Sequence, residues 1–334
     1  FYWSLFRGRG GLEGGWGSEG VVNPLTRRVK ATAAAERTQP AANLGPVKTA
    51  RLFSKTAASQ AGNIPPMDQM TQSLALGERP ASARESVEFW RAPRFDALEC
   101  LSATFRTHAY APHTHATYVV GVIEAGCETY CVRGERHYAV AGDVCFVNPD
   151  EVHDGEPAED GYSYRMTYPS VDLIGSLVED LTDAPLRGTP TFVLPRVHDP
   201  ELARRFAVAH RRLGGGSDSL AQDEGLTAVY SDALTRYGRI APKPVGTETA
   251  AIGRTIEFLD AHFDGDVTLL DLAGVSGLSR TGLIRAFRAA TGLTPHAWLT
   301  DRRVRAARGK LAAGAAPSDV ALAGGETPLS GVIR

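Results

Sequence analysis

The sequence lacks a long apolar run, and this absence excludes membrane-spanning proteins. No segment approaches the roughly 18 consecutive apolar residues that a transmembrane helix needs. A secretory signal is absent as well, because no apolar stretch follows the basic residues near the N-terminus. We therefore expect no membrane partner and a cytoplasmic location.

Cysteine and net charge are both low. The four cysteines, Cys100, Cys127, Cys131 and Cys145, lack the paired spacing of zinc ligands, so we interpret them as reduced thiols rather than disulfides or metal ligands. A formal charge of −2 gives no bulk attraction to nucleic acid. Any such attraction must come from local segregation of charge.

Methionine is also scarce, and the first of the three methionines is Met67. The preceding residues are basic and show no sustained periodicity. We interpret residues 1–75 as a disordered extension, or as a reading frame carried upstream of the true start. The composition of this segment also suits a transit peptide. We assign it no function.

Short apolar runs separated by glycine turns follow, between residues 85 and 170. They predict strands near 117–124, 127–133, 136–140 and 143–147, and "GYSYRMTYP" (161–169) alternates like a further strand. This spacing predicts an antiparallel barrel or sandwich.

The periodicity changes to that of helices in residues 171–238. One apolar stripe within this region has residues three and four apart, namely Leu226, Val229, Tyr230, Ala233, Leu234 and Tyr237. The stripe predicts packing either on the β unit of the same chain or on a second copy in a homodimer. Residues 239–249 contain two prolines and are interpreted as a linker.

The C-terminal segment has the pattern of a helix-turn-helix. Thr268 and Asp271 predict a capping box, Gly277 a left-handed helix end, and Ser279 the N-cap of a second helix over 279–290. In this second helix Leu283 and Phe287 are expected to point inward, with Ala290. Such a helix can enter the major groove of DNA.

The outward face of this helix carries the candidate DNA contacts. Thr281, Ile284, Arg285 and Arg288 lie largely on this face, from which side chains can reach base edges and phosphates. Eight basic residues and one acid, Asp301, lie between 280 and 310: Arg280, Arg285, Arg288, Arg302, Arg303, Arg305, Arg308 and Lys310. The alternative is a solvated helical face, since helix-turn-helix patterns also occur in proteins that never touch DNA.

The segment "VTLLDLAGVSGLSRTGLIRAFRAATGLTPHAWLTDRRVRAARGKLAAG" (267–314) resembles the DNA-binding domain of AraC-family bacterial transcription regulators. The resemblance rests on Ala273, Leu278-Ser279-Arg280, Leu283, Arg285 and Phe287, then "TGLTP" (291–295) and a linking helix with Trp298, Leu299, Arg303, Val304, Ala307 and Leu311. It implies binding of double-stranded operator DNA. It also implies that Thr281, Ile284 and Arg285 face the groove, with Arg280 and Arg288 near phosphates.

The resemblance also implies a second helix-turn-helix after the linking helix. "APSDVALAGG" (316–325) is similar to its first helix, with Asp319, Val320 and Ala321 in place, but "ETPLSGVIR" (326–334) does not continue the pattern. We therefore expect residues 250–334 to form a DNA-binding domain whose second unit is incomplete.

The β unit resembles the cupin-like sensor barrel that precedes this domain in the family. His113, His115 and His153 occupy positions that in metal cupins are metal ligands, but Val119 and Val120 stand where those proteins have a carboxylate. Three uses of the histidines remain open at this stage: a metal site, the polar lining of an effector pocket, or structural hydrogen bonding. We predict the effector pocket, with no metal and no cofactor.

These observations predict an α+β chain: an N-terminal cupin-like antiparallel β-barrel, bridging helices and a C-terminal all-α helix-turn-helix domain. The predicted function is a transcription regulator and not an enzyme, with a small-molecule effector in the barrel and operator DNA on the helix at 279–290. The effector is expected to change the contacts between the barrel and the C-terminal domain, or the geometry of a homodimer. The alternatives are a metal-dependent cupin enzyme and a truncated relic that does not bind DNA.

Overall fold

The first half of the structure is an antiparallel sheet that surrounds its own core. The computed structural model describes residues 85–216, 218–318 and 320, so the predicted extension, residues 1–75, lies outside the described residues. All described residues belong to one compact unit, Gly62–Arg334. The strands are β1 (Ser86–Ala92), β2 (Leu98–Phe105), β3 (Tyr110–His113), β4 (Val119–Val132), β5 (Glu135–Val140), β6 (Asp143–Val147), β7 (His153–Tyr168) and β8 (Arg196–His198).

The strands form one sheet in the order β1-β2-β7-β4-β6-β8, in which β3 also pairs with β7 and β5 with β4. Every pair is antiparallel. The predicted strands at 136–140, 143–147 and 161–169 are therefore confirmed. Strand β8 lies beyond the predicted boundary at residue 170. It follows the first α-helix in the chain and then returns to pair with β6.

Strand β4 corrects one prediction, since the expected turn at Ala125-Gly126 is absent. The chain runs straight through from Val119 to Val132, with shifts in the pairing with β7 on either side of Gly126. Gly126 has a φ of +73°, and a Cβ there would lie 2.0 Å from the carbonyl oxygen of Gly161. The glycine therefore makes a bulge in a long strand rather than a hairpin.

The two faces of the sheet have separate cores. On β7, Tyr162, Tyr164, Met166 and Tyr168 point into the sheet's own interior, as the alternation of a strand requires. On the other face a second apolar cluster, which includes Tyr118 and Phe146, packs against helices. We call the sheet with its interior the barrel.

Three helices cover the outer face of the barrel and are called the bridging helices. They are α1 (Val171–Thr182), α2 (Pro200–Leu213) and α3 (Ser219–Tyr237). The predicted stripe on α3 is buried in the cluster that joins these helices to the barrel, and only Tyr237 is partly exposed. The stripe therefore packs within its own chain, which removes it as a homodimer contact.

The C-terminal half contains α4 (Thr249–Ala261), α5 (Leu269–Ser276), α6 (Arg280–Thr291) and α7 (Pro295–Ala312). The capping box of Thr268 and Asp271 is confirmed, and Gly277 ends α5 with a φ of +74°. The apolar core of the C-terminal half also contains Leu220 from α3, which is fully buried. The predicted second helix-turn-helix lies almost entirely outside the described residues.

The sequence also predicted that no helix spans a membrane and that the cysteines are reduced. None of the described helices has the length and apolarity to cross a bilayer. The four cysteines are free thiols, with Cys100 and Cys145 buried and the other two half-buried.

Candidate functional site

The barrel brings His113, His115 and His153 together, as the sequence predicted. His113 ends β3 and lies opposite His153, the first residue of β7, while His115 follows in the next loop. The ring centroid of His113 lies 4.4 Å from that of His153 and 4.8 Å from that of His115. One nitrogen of each ring lies within 4.8 Å of the others.

Burial keeps His115 and His153 uncharged at neutral pH. Burial, together with a smaller effect of the neighbouring histidines, lowers the pKa of His115 to about 3 and that of His153 to about 4. The Nδ1 atoms of His113 and His153 lie 2.7 Å and 3.0 Å from the carbonyl oxygens of Ala111 and Glu151. Because a carbonyl oxygen only accepts, each Nδ1 donates, and a ring that carries no second proton leaves its Nε2 as an acceptor or ligand.

The cupin fold implies a metal ion here, and the three imidazoles fit one. His115 Nε2 is buried without a hydrogen-bond partner among the described residues, as an inward-facing ligand atom would be. Three neutral histidines are a donor set for zinc, copper or nickel, and such an ion would act as a Lewis acid. The carboxylate of metal cupins is still missing, since Val119 lines the cavity as a hydrocarbon wall.

The histidines lie in the wall of a cavity inside the barrel, with a volume of about 480 Å³ when the open solvent at its mouth is included. Its described lining contains no Lys or Arg. Burial raises the pKa of Glu128 to about 7, so this lining acid is largely uncharged below neutral pH. The other polar groups include four tyrosines, Tyr110, Tyr130, Tyr164 and Tyr168.

Sequence reasoning missed these tyrosines and Glu128 as site residues. The signal for two of the tyrosines was present, because "GYSYRMTYP" places Tyr164, Met166 and Tyr168 on one face of a strand. No local pattern distinguishes Glu128 from an exposed acid. Its burial follows from the pairing of β4 with β7.

The second candidate site is α6, the helix predicted to read DNA. Ser279 caps it by accepting a hydrogen bond from the backbone of Gly282. Leu283 and Phe287 are fully buried in the core of the C-terminal half, as predicted, and Phe287 meets Trp298 edge to face. Ala290, in the last turn of α6, is exposed, so the prediction that it points inward is wrong.

The opposite face of α6 differs from the prediction. Thr281 and Ile284, expected to face base edges, are only 2% and 8% exposed. Both line a cleft whose other wall comes from the bridging helices. Ile284 also belongs to the apolar core of the C-terminal half, so the prediction that it faces outward is wrong. Thr281 lies outside that core, and the helix pattern cannot show that another part of the chain covers it.

Two arginines of α6 also contact the bridging helices or the linker. The Arg280 Nε donates to Asp180 Oδ2 at 2.9 Å, and the Ser279 hydroxyl donates to the Asp180 carbonyl at 2.8 Å. Arg285 donates to the carbonyl of Lys243 in the linker at 2.8 Å. The Arg288 side chain is exposed and makes no hydrogen bond or ion pair with any described residue.

The basic residues of α7 are mostly used within the chain. Arg303 donates to the carbonyls of Phe263 and Gly265, and Arg302 stacks over the ring of Phe263 and pairs with Asp260. Arg305 pairs with Asp301 one turn earlier. The local excess of positive charge predicted from the sequence is therefore smaller at the surface than a count suggests.

Comparison with known proteins finds family matches in both halves of the chain. Residues 97–229 match the family described as AraC-like ligand binding domain, and residues 259–300 match the bacterial regulatory helix-turn-helix proteins of the AraC family.

Three relatives are regulators. The chain is 26% identical over 216 residues to the uncharacterized HTH-type transcriptional regulator YbfI of Bacillus subtilis, covering 63% of this chain and 76% of that protein. It is 22% identical to the HTH-type transcriptional activator RhaS of Klebsiella pneumoniae, covering 60% and 73%. It is 21% identical to the XylDLEGF operon transcriptional activator 1 of Pseudomonas putida, covering 59% and 63%.

Solved structures with a similar barrel include a cupin-like protein from Thermotoga maritima, 20% identical, which covers 29% of this chain and 81% of that chain with a TM-score of 0.24. KdgF from Halomonas is 18% identical, and the match covers 28% and 88% with the same TM-score.

Proposed function

Because the chain is a DNA-binding transcription regulator of the AraC family with a cupin-like effector-binding domain, we propose that the described arrangement is its closed state. In this state the bridging helices cover the face of α6 that reads DNA. The observation that carries the proposal is the burial of Thr281, which lies outside the core of the C-terminal half and lines the cleft against the bridging helices. A helix reads the major groove only through side chains that reach base edges.

The closed state is held by contacts on two sides of the C-terminal half. On one side Asp180 of α1 pairs with Arg280. On the same side the linker is held against α1, because the Lys243 amide donates to the Leu181 carbonyl at 2.8 Å. On the other side Asp223 of α3 accepts hydrogen bonds from Arg94 and from the backbone of Leu269. Release of α6 therefore requires the bridging helices to move or to separate from it.

The barrel cavity is the proposed effector site, with His113, His115 and His153 as polar contacts. The described lining has no cationic side chain to hold an anion, and its Asp154 carboxylate already accepts a hydrogen bond from the Cys131 backbone. We therefore propose an uncharged molecule with several hydrogen-bonding groups. Neutral imidazoles and tyrosine hydroxyls offer both donors and acceptors to such a molecule.

A short route connects this cavity with the bridging helices. Met166 and Tyr168 line the cavity, and Thr167 between them points to the opposite face, where its hydroxyl accepts a hydrogen bond from Tyr230 of α3 at 2.8 Å. An effector that displaces β7 therefore acts directly on α3. It shifts the closed state only if it binds the closed and open states with different affinity.

We also propose that the chain acts in the bacterial cytoplasm, where operator DNA is found. A homodimer on DNA would form through a surface other than the apolar stripe of α3, since the barrel and the other bridging helices bury that stripe. The DNA contacts remain those of the sequence prediction: Arg280, Thr281, Ile284, Arg285 and Arg288.

The second candidate function is a metal-dependent cupin enzyme, which the His113, His115 and His153 cluster favours. Metal analysis of the purified chain distinguishes the two. Stoichiometric iron together with oxygen-dependent turnover would support the enzyme, whereas the regulator requires neither.

The closed state is tested by opening its latch. Asp180→Asn removes the ion pair with Arg280, so a larger fraction of the chain is open and DNA affinity rises. The pair is partly exposed, and we expect a gain of roughly two- to fivefold. The measurement is binding to a duplex that the chain itself enriches from a random pool, at fixed salt.

Asp172→Asn is the matched control, because it removes the same charge from the same helix at an exposed position. Its DNA affinity should change by less than that of Asp180→Asn. Equal affinities for the two variants would contradict the latch, and failure to enrich any duplex would contradict the regulator.

A further inference from the structure

A second cavity lies between the bridging helices and α6, and we call it the interdomain cleft. It has a volume of about 670 Å³, open solvent at its mouth included. Its polar lining comprises Arg205 of α2, Ser231, Asp232 and Thr235 of α3, and Thr281, Arg285 and Arg288 of α6. No residue lines both the interdomain cleft and the barrel cavity.

The charge of the interdomain cleft is positive, with three arginines against one acid. Arg205 is paired with Asp232, and Arg285 uses one nitrogen on the Lys243 carbonyl. Arg288 has no partner among the described residues and so adds an uncompensated cation. An anion in the cleft would gain charge-assisted hydrogen bonds that a neutral molecule cannot form.

Two hydroxyls at the cleft are unsatisfied. The Oγ1 of Thr281, a residue 2% exposed, and the Oγ of Ser231 are both buried without a hydrogen-bond partner among the described residues. Nearly all buried polar groups in proteins find a partner, and an orphaned one marks a place where a ligand can supply it. One hydroxyl comes from each side of the cleft.

The remaining wall is aliphatic and comes from Leu181, Ala228, Pro242 and Ile284. We propose that the interdomain cleft binds a small carboxylate with a short aliphatic chain. The carboxylate accepts hydrogen bonds from the arginines and the two hydroxyls, and the chain lies against the aliphatic wall. This ligand differs in charge from the molecule that suits the barrel cavity.

A carboxylate bound there would act against DNA binding. It would contact the bridging helices and α6 at once, so it binds only the closed state and stabilises it. It would also occupy Thr281, Arg285 and Arg288, which the DNA would need. This consequence rests on the proposed function, whereas binding itself does not.

Binding is tested on the full chain without DNA, by calorimetric titration with hexanoate at fixed ionic strength. Hexan-1-ol and inorganic phosphate are the comparison probes. We expect saturable binding of hexanoate and at least roughly tenfold weaker binding of the other two, since each lacks one half of the recognition. Hexanoate that binds no more tightly than either probe overturns the proposal.

Variants locate the site. Ser231→Ala and Arg288→Gln should each weaken hexanoate binding by roughly three- to tenfold, because each removes one contact to the carboxylate. Arg187→Gln, the charge-matched control, removes an exposed arginine outside the cleft and should leave hexanoate affinity unchanged. Equal affinities for all three variants and the parent chain would place hexanoate elsewhere and overturn the proposal.

The effect on DNA is measured separately, with the enriched duplex. Saturating hexanoate should weaken DNA binding by the parent chain and should weaken it less for Ser231→Ala, whose DNA affinity without hexanoate stays unchanged. A chain that binds the duplex but not hexanoate overturns the cleft and leaves the regulator intact. A chain that binds hexanoate but no duplex supports the cleft and contradicts the regulator.

Discussion

His210 shows how a single buried side chain joins the barrel to the bridging helices. It lies on α2 and is fully buried. Arg165 lies 3.3 Å from its Nδ1, and the Met166 carbonyl lies 3.0 Å from its Nε2. Since the guanidinium can only donate, Nδ1 accepts and Nε2 carries the proton. The ring is therefore held in one neutral tautomer.

This neutral state makes stability depend on pH. Burial, with a smaller contribution from the nearby Arg165, lowers the pKa of His210 from 6.5 to about 4. A depressed histidine pKa contributes stability that is complete above pH 6.5 and is lost as the pH falls towards 4. Acidification should therefore destabilise the chain through His210 by up to about 3 kcal/mol.

His210→Gln tests this contribution. The variant keeps an amide near the Met166 carbonyl but cannot titrate, so it should be less stable at pH 7.5 and lose less stability between pH 6.5 and 4. The measurement is urea unfolding at several pH values for both chains. Parallel pH profiles would contradict the role of His210.

At the scale of residues, the histidine cluster was predictable and its electrostatics were not. His113 and His115 are two apart, and the resemblance supplied His153 as their neighbour. The neutral state of His115 and His153 depends on burial by residues distant in sequence, such as Tyr168, whose ring centroid lies 5.4 Å from that of His115. Spacing along a strand carries no information about such contacts.

At the scale of elements, the bulge of β4 gives a sharp prediction. Gly126→Ala combines a left-handed backbone with a Cβ that would overlap the Gly161 carbonyl. We expect a loss of stability of about 2–5 kcal/mol, from backbone strain and overpacking together. The midpoint of urea unfolding, followed by circular dichroism, measures it.

Gly134→Ala is the matched control for this variant. Gly134 has a φ of +80°, but nothing lies within 4 Å of an added Cβ. It should lose only the strain component, about 1–2 kcal/mol. Equal losses at the two positions would show that the close approach of β4 to Gly161 has no energetic weight.

Most elements could be predicted from periodicity, and the exceptions have a common cause. The three bridging helices and the caps of α5 and α6 follow from apolar spacing and from Thr268, Gly277 and Ser279. The continuity of β4 and the short β8 depend on partners distant in sequence. A glycine that makes a bulge and one that makes a turn look the same in a single sequence.

At the scale of the whole molecule, DNA binding should be weak and strongly dependent on salt. The parent chain must open before α6 can bind, and several arginines of α7 are already paired within the chain. Contacts to phosphates release counterions, each contributing roughly 0.9 to the slope of log affinity against log salt.

Arg288→Gln tests one of these phosphate contacts. Because Arg288 is exposed and unpaired among the described residues, its removal should lower the salt slope by roughly one and weaken binding for all duplex sequences alike. The measurement is duplex affinity at several salt concentrations. Arg187→Gln serves again as control, and a slope that falls equally for both variants would mean that Arg288 makes no such contact.

The closed state is the part of the molecule that sequence could not predict. Local patterns define which face of α6 packs on its own half, and that prediction holds for Leu283 and Phe287. The opposite face is covered by α1 and α3, which lie far away in sequence. Their covering residues, such as Asp180, form part of helices whose own pattern predicts only packing on the barrel.

Leu220 carries a practical consequence for dissecting this protein. The side chain starts from a bridging helix yet fills the apolar interior beneath α4 and α5. A fragment cut at the linker would leave a hole there and expose hydrocarbon around its rim. Such a fragment is expected to be less stable than the same residues in the intact chain, and its DNA affinity would underestimate that of an opened full-length molecule.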